Sequence, residues 1–159
     1  MIARKRCAKT MIGLCVLILS GCASITHKEN AEMNNNHTTF SHTTGRFVSS
    51  GDAEIYVEEI GISDGPVLLM LHGGFGTIED FNTIAPTLSR HFRLIGIDSR
   101  GHGRSTLGST KLSYNILTED LKAVINALDL RVFSIFGFSD GGVMAYRYAA
   151  GQDTRLLKV

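Results

Sequence analysis

Apolar residues in this chain gather into short solid runs, separated by stretches in which every third or fourth position is apolar. Three runs stand out: Val67–Leu71 (VLLML), Arg93–Ile97 (RLIGI) and residues 132–136 (VFSIF). Runs this short and apolar on both faces suit strands in the middle of a parallel sheet. Ahead of them, Phe47-Val48 and Glu54-Ile55-Tyr56-Val57 predict a pair of strands joined by a turn at Ser50-Gly51-Asp52. Residues 80–90 place Phe81, Ile84 and Leu88 on one helical face, and Pro86 belongs in the first turn of the regular helix. Residues 113–128 make the clearest helix, with Ser113 as its cap and a stripe of Leu117, Leu121, Val124, Ile125 and Leu128. Residues 141–150 predict a further helix, and residues 155–159 the start of another strand. Strands and helices alternating over short connections predict an α/β protein with a mostly parallel sheet flanked by helices.

The first 45 residues lie outside this pattern. Arg4, Lys5, Arg6 and Lys9 precede an apolar run at residues 11–19, too short to span a bilayer but suited to the core of a signal peptide. Leu19-Ser20-Gly21-Cys22 follows and resembles the lipobox of bacterial lipoprotein precursors. That resemblance implies diacylglyceryl modification of the Cys22 thiol, cleavage before it, and a membrane-anchored protein outside the cytoplasm, on the outer membrane or cell surface. An ordinary signal peptide in which Cys22 merely follows Gly21 is the alternative. Residues 22–45 are polar and aperiodic, with Ile25, Met33 and Phe40 as the only larger apolar side chains, and predict a flexible tether. His27, His37 and His42 lack metal-ligand spacing and are expected to be solvated linker histidines, so no metal site is expected. The expected layout is a signal peptide over 1–21, a tether over 22–45 and an α/β domain over 46–159.

Composition narrows the function classes. A chain of 159 residues suits about one domain. The net charge is +1 and its basic excess sits at the extreme N-terminus, which excludes the clustered basic face of a nucleic-acid binder. Cys7, Cys15 and Cys22 all fall at or before the lipobox, so the domain would hold together without thiols or disulfides. Nothing in the pattern indicates an oligomeric state.

Chemistry concentrates at the ends of the predicted strands. Gly137-Phe138-Ser139-Asp140-Gly141 joins the third run to a helix and matches Gly-x-Ser-x-Gly in the strand–turn–helix context that motif needs. So sharp a turn demands nearly side-chain-free neighbours, which Gly137 and Gly141 supply. It presents the Ser139 hydroxyl as a nucleophile, with the Asp140 amide and the helix N-terminus facing a developing oxyanion. His72-Gly73-Gly74-Phe75-Gly76 follows the first run, and an amide of Gly74 or Phe75 can supply the second oxyanion donor. Its spacing is wrong for a dinucleotide-binding Gly-x-Gly-x-x-Gly, and no cofactor is expected.

HGGFG, DSRGHGRS and GFSDGG occur in order, each after a buried run, and together resemble the α/β-hydrolase superfamily over residues 46–159. Ser139-Asp140-Gly141-Gly142 is similar to the valacyclovirase-like (biphenyl hydrolase-like) branch. The resemblance implies the N-terminal half of that fold, with Ser139 attacking an ester, thioester, lactone or amide carbonyl of a small molecule, and the Asp140 and Gly74 amides holding the oxyanion. It assigns Asp98, Arg100 and His102 to structure, and His72 to the loop. Phe75, Phe138 and Asp140 are the residues expected to face a pocket.

One departure is plain. The family's order is Ser, then Asp or Glu, then His, yet no histidine follows Ser139 and the only acids there are Asp140 and Asp153. A fragment or truncated gene is therefore expected, inactive or nearly so as it stands. Three readings follow: an ester or lactone hydrolase, a non-catalytic lipid-anchored binding module, and a perhydrolase or haloperoxidase-like activity on the same serine.

Overall fold

The structure, a computed structural model, describes residues 37–159. The expected signal peptide, Cys22 and the expected tether up to residue 36 lie outside the described residues. Six strands form one sheet in the order β1-β2-β4-β3-β5-β6. β1 (Arg46–Ser50) and β2 (Ala53–Gly61) form an antiparallel hairpin, and β2 runs antiparallel to β4 (Arg93–Ile97). β3 (Val67–Leu71) lies between β4 and β5 (Phe133–Gly137), parallel to both, and β6 (Leu156–Lys158) adds a parallel edge to β5. Alternation along each strand feeds two cores. Ile55, Val57, Leu69, Leu71, Ile95, Ile97 and Ile135 face α2 (Tyr114–Ala127) and α3 (Asp140–Ala149). Tyr56, Ile60, Met70 and Leu94 face the opposite side, where Ile78, Phe81 and Ala85 cover them. The solid apolar runs are what burial on both faces requires.

The helix expected at residues 80–90 is two pieces, a 3-10 helix (Ile78–Thr83) and a four-residue α1 (Ala85–Leu88) with Pro86 in its first turn. Thr77 caps the first piece reciprocally with Asp80, a box the apolar pattern does not reveal. Ser113 caps α2 as expected, accepting from the Ile116 N–H.

The expected tether does not extend through residues 37–45, which pack on the second core. Phe40 is buried to 2%. Its backbone N–H and C=O pair with the Asn82 side chain at 2.8 and 2.9 Å. Nor is His42 a solvated linker residue: its Nε2 lies 2.8 Å from Asp98 Oδ2 and its Nδ1 3.2 Å from Glu79 Oε1. Buried Glu58 accepts from the Ser41 amide, the Ser41 and Thr44 hydroxyls and the Tyr56 hydroxyl, which anchors the segment along β2.

Candidate active site

β5 and β3 run parallel, with Gly137 opposite Leu71. Beyond Gly137 the chain turns at once: Phe138 N–H donates to Leu71 O at 2.9 Å and Gly141 N–H to Phe138 O at 2.9 Å. Ser139 stands at the apex, exposed, with φ 51° and ψ −116°. That conformation costs a non-glycine residue on the order of 1–3 kcal/mol and persists only where its surroundings enforce it. The enforcement is steric. A Cβ on Gly137 would lie 2.5 Å from Gly141 O, and one on Gly141 would collide with Leu71 O.

The segment after β3 comes up beside this apex. Gly76 N–H donates to Gly73 O at 3.1 Å, closing a turn with Gly74 and Phe75 at its corners. A Cβ on Gly73 would sit 3.2 Å from the Ser139 Cβ, and one on Gly74 would meet the Asp140 carboxylate. Among the described residues no acceptor takes the N–H of Gly74 or of Asp140. The Phe75 N–H differs, since it donates to His102 Nε2 at 3.1 Å. His72 is buried, with Nδ1 2.7 Å from Gly73 O and Nε2 accepting the Ser99 N–H at 2.9 Å. Burial pushes its pKa below the ordinary value. The neighbouring His102 acts in the same direction, while the Gly73 carbonyl, Asp98 and Asp80 oppose it.

The loop after β4 is held by buried charge. Asp98, with no exposed surface, accepts from the Ile78 and Arg104 amides. Arg100 is likewise fully buried and forks onto Asp120 of α2 at 2.9 and 2.7 Å, reaching Asp52 of the β1–β2 turn at 2.6 Å. Arg100 holds the Asp52 carboxyl well below the usual carboxylate range, helped by Ser109 and Thr110. Asp120 and Asp52 carry no motif, so sequence reasoning had no signal for either. The apposition of α2 and this loop decides their role.

A pocket of about 220 Å³ opens beside the elbow, lined by Gly74, His102, Tyr114, Leu117, Asp140 and Met144 among others. Tyr114 OH donates to Asp140 Oδ1 at 2.6 Å, which raises the Tyr114 pKa. Of the three residues expected to face a pocket, Asp140 lines this one. Phe138 lines a separate apolar groove with Phe81, Ile84 and Phe136. Phe75 lines neither: its φ of 63° turns the ring fully into solvent. No histidine among the described residues hydrogen-bonds to Ser139, and no group of three or more His, Cys, Asp and Glu among them is placed to hold a metal ion.

A mostly parallel sheet that presents a strained serine at a strand–helix turn, beside a glycine turn ending the neighbouring strand, defines the nucleophile-elbow class of α/β proteins. Residues 66–159 match the family model described as alpha/beta hydrolase fold, and the chain belongs to that family. A Haemophilus influenzae protein named as an esterase/lipase is 39% identical over 85 residues, covering 54% of this chain and 29% of its own length. A non-heme chloroperoxidase of Streptomyces lividans is 35% identical over 107 residues, 67% of this chain and 39% of the relative. The solved esterase of Exiguobacterium antarcticum superposes with a TM-score of 0.65 at 32% identity, over 73% of this chain and 45% of that one. The chain spans less than half the length of these relatives.

Proposed function

We propose that this protein is a serine hydrolase of small carboxylic esters or lactones, working through an acyl-enzyme on Ser139 with the Gly74 and Asp140 amides as oxyanion donors. One observation carries the reading: Ser139 holds a strained, exposed conformation that two glycines exist to permit. A binding module would have no use for it. The esterase/lipase name of the Haemophilus influenzae relative supports the substrate class. The chloroperoxidase relative keeps a perhydrolase side activity within reach of the same serine. Ser139-Asp140-Gly141-Gly142 supports the valacyclovirase-like branch, and the Asp140 carboxylate gives the pocket a polar end. The lipobox at Leu19-Ser20-Gly21-Cys22 supports an extracytoplasmic, lipid-anchored protein.

His72 and His102 both spend their ring nitrogens on backbone groups, and no other histidine among the described residues bonds to Ser139, so the described residues supply it no base. We expect these 159 residues in isolation to acylate about 10⁴-fold or more below a complete triad enzyme. The same observation favours the second reading, a lipid-anchored binding module. A fluorophosphonate probe separates the two when applied to the protein as its host produces it. Labelling that disappears in Ser139→Ala supports the hydrolase; no labelling, or equal labelling of Ser139→Ala, removes it. Cys22→Ser should release the protein from membranes, and continued retention would remove the anchor.

A further inference from the structure

Phe75 is held in a left-handed conformation with its ring fully in solvent. For a bulky residue that backbone costs about 1 kcal/mol or more, and the exposed ring recovers nothing. In a turn such as Gly73–Gly76 the central peptide, here Gly74 C=O with Phe75 N–H, has two orientations that differ by about a half-rotation. A left-handed third residue belongs to only one of them, and glycine or asparagine normally occupies it.

What selects that orientation here is His102. Its Nε2 accepts the Phe75 N–H at 3.1 Å, and its Nδ1 lies 3.1 Å from Arg100 O. A carbonyl can only accept, so Nδ1 carries the ring hydrogen, Nε2 is a bare lone pair, and the ring is neutral. The anchor is rigid, because the Arg100 side chain is locked between Asp120 and Asp52. The turn it controls abuts Ser139, as the Gly73 approach shows.

We propose that His102 is a positioning residue for the turn beside Ser139: neutral, it holds the Gly74–Phe75 peptide in its present orientation, and protonation at Nε2 turns that peptide over. The two states exchange partners evenly. The neutral ring accepts from Phe75 N–H; the protonated ring, now a donor at Nε2, takes the Gly74 carbonyl that the rotation brings round. Several charged or titratable groups surround it. His72 at the end of β3 has its ring 5.4 Å away, and Asp80 of the 3-10 helix acts on His72. Tyr114 of α2 and Asp140 of α3 share its pocket, and Asp98, Arg100 and Arg104 flank it in its own loop. Both rings spend both nitrogens, but His72 is buried, whereas half-buried His102 lines the pocket.

Its consequence for catalysis rests on the hydrolase reading of Ser139, but its test does not. In the full 159-residue chain, the amide-exchange protection of Phe75 is compared at about pH 8 and about pH 5 while the His102 ring nitrogens are titrated by NMR. Protection should fall about five- to tenfold, the worth of one hydrogen bond, in step with His102. His102→Gln, whose amide oxygen accepts but does not titrate, should keep protection at both pH values; His102→Leu should lose it at both. Unchanged protection in His102→Leu, a pH step that persists in His102→Gln, or a wild-type step that does not follow the His102 ring would overturn the proposal. Ser139→Ala should behave as wild type throughout. A failed fluorophosphonate test with an intact Phe75 response would therefore sink only the hydrolase reading. Where the wild-type protein labels, the His102→Gln variant should lose less of its labelling rate between about pH 8 and about pH 5 than wild type does.

Discussion

At the scale of single residues, the site sets one strained serine against two histidines whose hydrogen bonds require them to be neutral. His72 is the more constrained, because its folded pKa is lowered by burial. Between that lowered value and the ordinary histidine value of 6.5, the unfolded chain binds a proton that the native chain refuses. Native stability should therefore fall as pH drops below about 6.5, with a His72 contribution of at most about 1.4 kcal/mol per pH unit, and it should be insensitive to this group above that value. Urea unfolding of wild type and His72→Gln across this range measures the effect as a difference in slope. Equal slopes would mean that His72 carries no such penalty. Ser139 was legible in the sequence because sterics leave so few solutions to its turn: Gly137 and Gly141 must be small wherever the elbow forms. Phe75 was misread for the opposite reason. The residue pattern says that a turn follows β3, but the direction in which its ring leaves depends on one peptide orientation, set by His102 twenty-seven residues away.

Among the elements, the strands and α2 follow directly from apolar spacing, since burial on both sheet faces or along one stripe leaves a periodic trace. Residues 37–45 leave none. Their attachment uses one apolar side chain, Phe40, and partners such as Asn82 and Glu58 that lie 14 to 42 positions away. A lone phenylalanine in a polar stretch has no period to detect. Yet Phe40 fills the space that Gly96 leaves in β4, against Ile78. If the segment is part of the domain, Phe40→Ala should cost about 3–5 kcal/mol. The exposed neighbour Thr38→Ala should stay within about 0.5 kcal/mol. Denaturant midpoints at unchanged slope would report both. A neutral Phe40→Ala would restore a tether that runs to the start of β1. The buried Arg100 network belongs at this scale too, because it binds the β1–β2 turn, the loop after β4 and α2 into one support for the pocket wall.

For the molecule as a whole, the two sheet faces are unequal. α2 and α3 cover one face across β5, and its core residues there are buried. Among the described residues the opposite face carries only the 3-10 helix, α1 and residues 37–45. Toward β5 it leaves an apolar groove of about 430 Å³ between Leu68, Ile84, Leu88, Phe92 and Phe136. Phe136 is 41% exposed there despite its edge-on contact with Phe81. Nearby, among the described residues, β6 pairs with β5 alone and Leu157 is 67% exposed. An apolar groove next to a free strand edge favours association, because burying it removes apolar surface from water and a second strand satisfies the edge. The 159-residue chain in isolation should therefore self-associate. A charge at either position, Ile84→Lys in the groove or Leu157→Lys on the edge, should shift it toward monomer while leaving the Ser139 elbow untouched. Sedimentation velocity over a concentration series measures this directly. A wild-type chain that stays monomeric throughout, or variants that associate as strongly as wild type, would show that the groove and edge are too small to drive association on their own.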